Sequence, residues 1–253
     1  MQVIKLVNKG DYVILEIDNG KVNAIDTALV KNLHEKFLDL DADEEVKGVI
    51  LSGRPNCFSA GLDIAHLAKG GYEGGVEFWK YYHLAVQAMI RFSKPFVCAI
   101  TGYAPAGATI LTLCADYRIM GKGDKHKLGM HEFKLSMQIP ELLCDIFSYY
   151  LGEKEAWKAV QLAKLFNSEE ALKVGLIQES VEVEEVLERA EKVIQRYVGI
   201  YPPVFKNTKS YLRKGLLAIA NGNLDKMIEE ISAEWNDPYV QKSMELFLLS
   251  LKK

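Results

Sequence analysis

Apolar and polar residues alternate through positions 2–8 and again through 11–18, with Lys9-Gly10 between them, and this period of two predicts a β-hairpin. The spacing then changes. Asp26 stands where a helix cap belongs and predicts a helix running to about Leu40. Lys47-Gly-Val-Ile-Leu-Ser-Gly53 reads as a hydrophobic strand. Gly70-Gly71 and Gly74-Gly75 predict a loop. Beyond it Phe78, Tyr82, Ala85, Met89 and Phe92 recur at helical spacing until Lys94-Pro95 stops the helix. Strand 96–100, helix 107–114 and strand 116–120 repeat the rhythm. This βαβ order implies a largely parallel, layered α/β core.

From Pro140 onward the pattern is helical, apart from an extended stretch at 176–181. Asn167-Ser-Glu-Glu170 has the form of a capping box, and Gly175 is placed to end that helix. Four amphipathic helices follow at 184–198, 203–217, 223–235 and 239–251. The chain therefore divides, on this reading, into a core over 1–199 and a helical region over 200–253 that must pack on something.

Two turns carry the candidate chemistry. In Ala99–Ile119 an apolar strand enters a small-residue turn, and a helix opens at Gly107. A helix start leaves amide N–H groups unpaired and favours negative charge. Ala104, Ala106, Gly107 and Ala108 let a ligand come close to that backbone. The second turn, Phe58-Ser-Ala-Gly-Leu-Asp63, follows strand 47–53. Together they form a candidate oxyanion hole, with amides of Ala60 and Gly107 aimed at one developing oxygen anion.

This pair of motifs resembles the crotonase, or enoyl-CoA hydratase/isomerase, superfamily from about Asn23 to about Val181. Within it the chain is most similar to the mitochondrial-type Δ3,Δ2-enoyl-CoA isomerases. The shared features are the Pro105-Ala106-Gly107 turn, the Asp116-Tyr-Arg-Ile119 strand and a lone Glu132 eight residues before Pro140. The resemblance implies a crotonase-like ββα spiral core, a C-terminal helical trimerisation region and a homo-trimer or hexamer. It also implies an acyl-CoA substrate, with no separate cofactor.

By its surroundings alone, Glu132 in Leu128-Gly-Met-His-Glu-Phe133 reads as a surface residue. The resemblance makes it the proton-shuttling base. Phe133, Leu135, Ile139 and Leu142 would then form an apolar pocket that raises its pKa. Ile110 stands where hydratases of the family carry a second, water-holding glutamate. It lies one helical turn beyond Gly107, so it predicts a dry wall and isomerisation rather than hydration. Ser59, Ala60, Gly61, Leu62 and Asp63 would bind CoA, with Ile64 and Leu67 packed near it and Ala24 on the pantetheine path. Asp63 also reads as a helix cap. Pro140 takes the position of the nucleophilic aspartate of aromatic dehalogenases, which argues against that branch. A hydratase, hydrolase or decarboxylase of the same family, and an inactive fold used for binding, stay open as alternatives.

Composition narrows little further. The chain has 253 residues, 49% hydrophobic and 26% charged, and a net charge of −3 without a basic block, so nothing points to nucleic acid. No 18-residue apolar run is present, which predicts no membrane span. The N-terminus lacks a signal peptide's apolar core, and Cys57, Cys98, Cys114 and Cys144 are widely spaced. These features predict a cytoplasmic protein with reduced, mostly buried thiols. The five histidines lack paired metal spacing, so no metal is expected. His131 would point away from Glu132 in an extended segment, and both it and His66 read as non-catalytic. Lys206, Lys209, Lys214, Lys242, Lys252 and Lys253 read as a solvated face.

Overall fold

The computed structural model describes residues 3–235 and 237–250. The hairpin is β1 (Ile4–Asn8) and β2 (Tyr12–Ile17), antiparallel with Leu6 opposite Leu15. Residue 2 of the expected first strand, residue 251 of the last expected helix, and Lys252 and Lys253 lie outside the described residues.

After β2, helix α1 (Thr27–Ala42) starts at Asp26, whose carboxylate accepts the Leu29 amide at 2.8 Å. Strands β3 (Gly48–Ser52), β5 (Phe96–Ile100), β7 (Tyr117–Gly121) and β9 (Glu179–Val181) extend the sheet. Its order is β1-β2-β3-β5-β7-β9, parallel from β2 onward. β3 and β5 are buried at every residue, as a parallel strand covered on both faces requires. One face packs against α1 and α2 (Ile64–Arg91). The other packs against α7 (Val186–Val198), where Ile50, Val97 and Ile119 meet Val193 and Ile194.

A second, three-stranded parallel sheet stands beside the first: β4 (Asn56–Cys57), β6 (Gly102–Pro105) and β8 (Leu128–Gly129). The sequence pattern did not predict it. These strands are two to four residues long, too short to display a period. The glycine-rich loop expected near 70–75 is also corrected. α2 runs through it, broken only at Gly71, whose φ of 60° no helix adopts.

Helix α3 (Gly107–Leu113) follows β6, and a 3-10 turn spans Glu132–Leu135. Next come α4 (Glu141–Leu151), α5 (Glu153–Gln161) and α6 (Ser168–Lys173), the last started by the expected capping box of Asn167 and Glu170. The helix expected over 203–217 is two, α8 (Pro202–Leu212) and α9 (Lys214–Ala220), hinged at Arg213. α10 (Leu224–Trp235) and α11 (Pro238–Ser250) follow. Met227, Ile231, Val240 and Met244 are buried in the same core as Phe37 and Phe78, so α10 and α11 fold back onto their own chain.

The thiol expectation holds for Cys98 and Cys114, which are buried; Cys57 is half-buried and Cys144 is exposed. Lys209 is a correction too. Its side chain is only 8% exposed, because its ammonium donates to Asp116 Oδ2 at 2.7 Å and to Lys94 O at 2.9 Å.

Candidate active site

Three backbone segments meet at one chamber, and their hydrogen bonds explain why. The extended stretch before α1 clamps the first turn. Ile25 N–H donates to Gly61 O at 2.8 Å, Asp63 N–H to Ile25 O at 2.9 Å, and the buried Ser59 hydroxyl to Asn23 O at 2.6 Å. The second turn is held from beneath by β8. Ala106 N–H donates to Gly129 O at 2.8 Å, and Thr109 Oγ1 accepts the Gly129 amide at 2.7 Å. Glu132 lies three residues beyond Gly129, so the same strand delivers it to the turns.

The turns touch. A Cβ on Gly61 would lie 3.2 Å from Pro105 O, and Gly61 has φ +87°, which suits glycine. Ala106, just before α3, holds φ 54° and ψ −128°, a costly conformation for a residue with a Cβ.

The Ala60 amide is not the free donor expected from the sequence, because it donates to Val22 O at 2.9 Å. The Leu62 and Gly107 amides have no acceptor among the described residues. The Leu62 amide faces away from the Ile25 bridge, whose bonds run through Gly61 and Asp63.

The chamber measures about 70 Å³, and its walls include Leu62, Ile64, Trp79, Leu135, Met137 and Leu143, with Phe247 reaching in from α11. Glu132 lines it and is the one carboxylate among the described lining residues. Its Oε2 is buried without a hydrogen-bond partner among the described residues. Burial pushes its pKa from 4.5 up to about 7, although its own amide and that of His131 pull the other way. A carboxyl poised there can take or give a proton near neutral pH.

His131 also lines the chamber, because the 3-10 turn replaces the extended segment in which it would point away. Its pKa is lowered by burial and then by the Lys134 charge, and its Nδ1 has no partner among the described residues.

The enoyl-CoA hydratase/isomerase family model matches residues 11–250. The chain belongs to that family. Rat mitochondrial enoyl-CoA delta isomerase 1 is 30% identical to it, over 95% of this chain and 83% of its own length. The structure of human mitochondrial Δ3-Δ2-enoyl-CoA isomerase covers 99% of this chain and 98% of its own, with a TM-score of 0.94 at 27% identity. An enoyl-CoA hydratase from Bacillus halodurans shares the fold, with a TM-score of 0.88 at 23% identity over 97% of this chain and all of its own. The chain is thus an enzyme of the crotonase superfamily with the expected mixed α/β fold.

Against this family frame, the predicted site residues divide. Ala60, Gly61, Leu62, Ile64 and Glu132 line the chamber, and Gly107 sits in contact distance of Leu62. Ile110 does not line it; it is fully buried in the core behind α3. Leu67 is likewise a core residue. Asp63 caps α2 by accepting the His66 amide at 2.8 Å. Ser59 staples its turn, and Ala24 is half-buried with its carbonyl accepting Asn19 Nδ2 at 2.8 Å. Of the expected pocket wall around Glu132, only Leu135 faces the chamber. Phe133 is 45% exposed, and Ile139 and Leu142 pack elsewhere. Met137, Leu143 and Phe247 were missed, since nothing local marks residues that arrive from the loop after the 3-10 turn, from α4 and from α11.

Proposed function

We propose that this enzyme shifts the double bond of a 3-enoyl-CoA to the 2-position by a proton shuttle on Glu132. The observation that carries the reading is a largely apolar chamber with a single carboxylate among its described lining residues, whose pKa is pushed up to about 7. The thioester carbonyl acidifies C2–H. Ionised Glu132 takes that proton, and the electron pair delocalises over C2, C4 and the thioester oxygen. The amides of Leu62 and Gly107 hold the oxygen; such a donor is typically worth about 10²–10³ in rate. The same carboxyl then returns the proton to C4, and the double bond settles between C2 and C3. Glu132 ends as it began, so one base suffices and no cofactor is called on.

Hydration would need a second group to hold water. No other carboxylate lines the chamber among the described residues. The test is to supply one 3-enoyl-CoA and compare the 2-enoyl and 3-hydroxyacyl products. Isomer in large excess is expected; hydration equal to isomerisation would move the enzyme to the hydratase branch, and neither product would favour an inactive fold used for binding.

We also propose self-association into a trimer or hexamer, now through α8 rather than the whole of 200–253. Tyr201, Val204, Tyr211 and Leu212 are 70%, 56%, 73% and 76% exposed, an apolar stripe of the kind that marks an interface. A cytoplasmic location stays part of the proposal. Among the described residues no helix is long and apolar enough to cross a membrane.

A further inference from the structure

A second cavity, of about 500 Å³, lies between β7, α4 and α8 and shares no described lining residue with the catalytic chamber. Its described charged lining is Asp116, Arg118, Lys209 and Arg213, three cations against one anion. All four are largely buried, and Arg118 is only 2% exposed. A cation taken out of water needs a counter-charge, and Asp116 has little left to offer. Its Oδ1 is engaged by Arg213, and its Oδ2 by Lys209 and the Phe96 amide. Arg118 has no carboxylate partner among the described residues. Its Nε donates to Leu176 O at 2.6 Å, and its Nη1 to Ala115 O at 2.7 Å and to the Tyr150 hydroxyl at 3.4 Å. Its Nη2 has no acceptor among the described residues. The guanidinium lies 4.5 Å over the Tyr150 ring, which lines the same cavity. We propose that this cavity binds a carboxylate with an apolar body, its head on Arg118, Lys209 and Arg213.

The walls call for the body. Ile200, Val204, Phe205 and Leu212 line the cavity, and a bare inorganic anion would leave that apolar surface uncovered. A largely apolar space with a few convergent polar groups is what small-molecule sites present, typically at about 300–1,000 Å³. Burial, more than any other cause, lowers the Lys209 pKa, and Asp116 opposes it; a bound carboxylate would add to that opposition. Val204 and Leu212 also belong to α8, the helix proposed for self-association, so the test uses the protein as it assembles.

Calorimetry on the full chain compares decanoate with 1-decanol and with acetate. Decanoate is expected to bind about 10-fold or more tighter than either, since charged hydrogen bonds favour its head and each buried methylene adds about fourfold. Saturating octanoyl-CoA should leave that binding unchanged, which separates this site from the chamber and from the isomerase reading. Thr208→Glu sets a carboxylate at the cavity's exposed rim, where it competes for the cations, and should weaken decanoate binding about 10-fold or more. Should Thr208→Glu not fold, Leu212→Glu brings the same charge from one helical turn further along α8. Equal affinity for 1-decanol or acetate, displacement of decanoate by octanoyl-CoA, or a folded variant that binds as wild type does would each overturn the proposal. So would a wild type that binds no decanoate, the outcome expected if a neighbouring copy's side chains fill the cavity.

Discussion

A Cβ added to Gly107 would lie 2.6 Å from Leu62 Cδ1 and 3.2 Å from the Tyr82 hydroxyl. The two turns that offer free amides are therefore in contact across a gap only glycine fits. Tyr82 is fully buried and donates to Gly107 O at 2.7 Å, so the far side of Gly107 is pinned as well.

Gly107→Ala should consequently force Leu62 away and misalign the proposed oxygen-binding pair. Loss of about 10²-fold in kcat is expected, comparable to removing one such donor. The core should suffer less, because Leu62 faces the chamber rather than the sheet. Steady-state kinetics beside a thermal melt separates the two. A variant with wild-type kcat would show that the Leu62–Gly107 contact does not set the site.

Much of this was legible in the residues. The hairpin, the caps at Asp26, Asp63 and Asn167, and the βαβ rhythm all rest on interactions between near neighbours, which a sequence displays. Glu132 was legible only through resemblance, since four residues of a 3-10 turn carry no pattern of their own. Which amide stays free was not legible from the motif, because Ala60 is engaged by Val22, thirty-eight positions upstream in a segment without regular structure. Ile110 failed for a related reason. A one-turn helical offset predicts a shared face, but α3 is seven residues long and buried at every one, so it has no open face. Lys209 looked like one more surface lysine until the fold brought Asp116 beneath it.

Glu132 links activity to pH and to stability. As the base it must be ionised, so kcat should rise with pH through about 7 and level off above it. Glu132→Gln should lower kcat by about 10³-fold or more while leaving CoA-thioester affinity nearly unchanged. A variant retaining a tenth of wild-type turnover would exclude Glu132 as the base.

The same group should weaken the fold as pH rises from acid to neutral. Its folded pKa is raised, so below 4.5 both states carry the proton and nothing is lost. Between 4.5 and about 7 the unfolded chain ionises first, and native stability declines. Above that the deficit is constant at about 3 kcal/mol. Glu132→Gln never ionises and escapes it. Its stability relative to wild type, measured by urea unfolding, should therefore improve by about 3 kcal/mol between about pH 4 and pH 8. A difference independent of pH would mean the carboxyl is not desolvated in the folded protein.

Asp116 is the shared anion of a buried cluster. Its carboxylate pairs with Lys209 at 2.7 Å and with Arg213, and also accepts the Phe96 amide at 2.9 Å. The Lys209 and Arg213 side chains are only 8% and 14% exposed. Asp116→Ala would leave both cations buried without their partner, at a cost of about 3–5 kcal/mol. Denaturant unfolding should show that loss. A change under about 1 kcal/mol would mean that water reaches the cluster freely.

The last prediction concerns α8. α9, α10 and α11 bury Leu216, Met227, Ile231 and Met244 in the chain's own core, whereas α8 has no fully buried residue. Pro202 and Pro203 open the helix, and it ends at Leu212, 76% exposed beside Tyr211, 73% exposed. A stripe of that kind is stable in water only if something covers it, and a second copy of the chain is the proposed cover. Tyr211→Glu with Leu212→Lys places charge in the middle of that contact without touching the chamber, whose described lining includes no α8 residue. Sedimentation should find wild type as a trimer or a multiple of it and the double variant as a smaller species. Turnover per chain should persist in any variant that stays folded, since Leu62, Gly107 and Glu132 all come from one subunit. A wild type that sediments as a monomer, or a double variant that keeps the full assembly, would remove α8 from the interface.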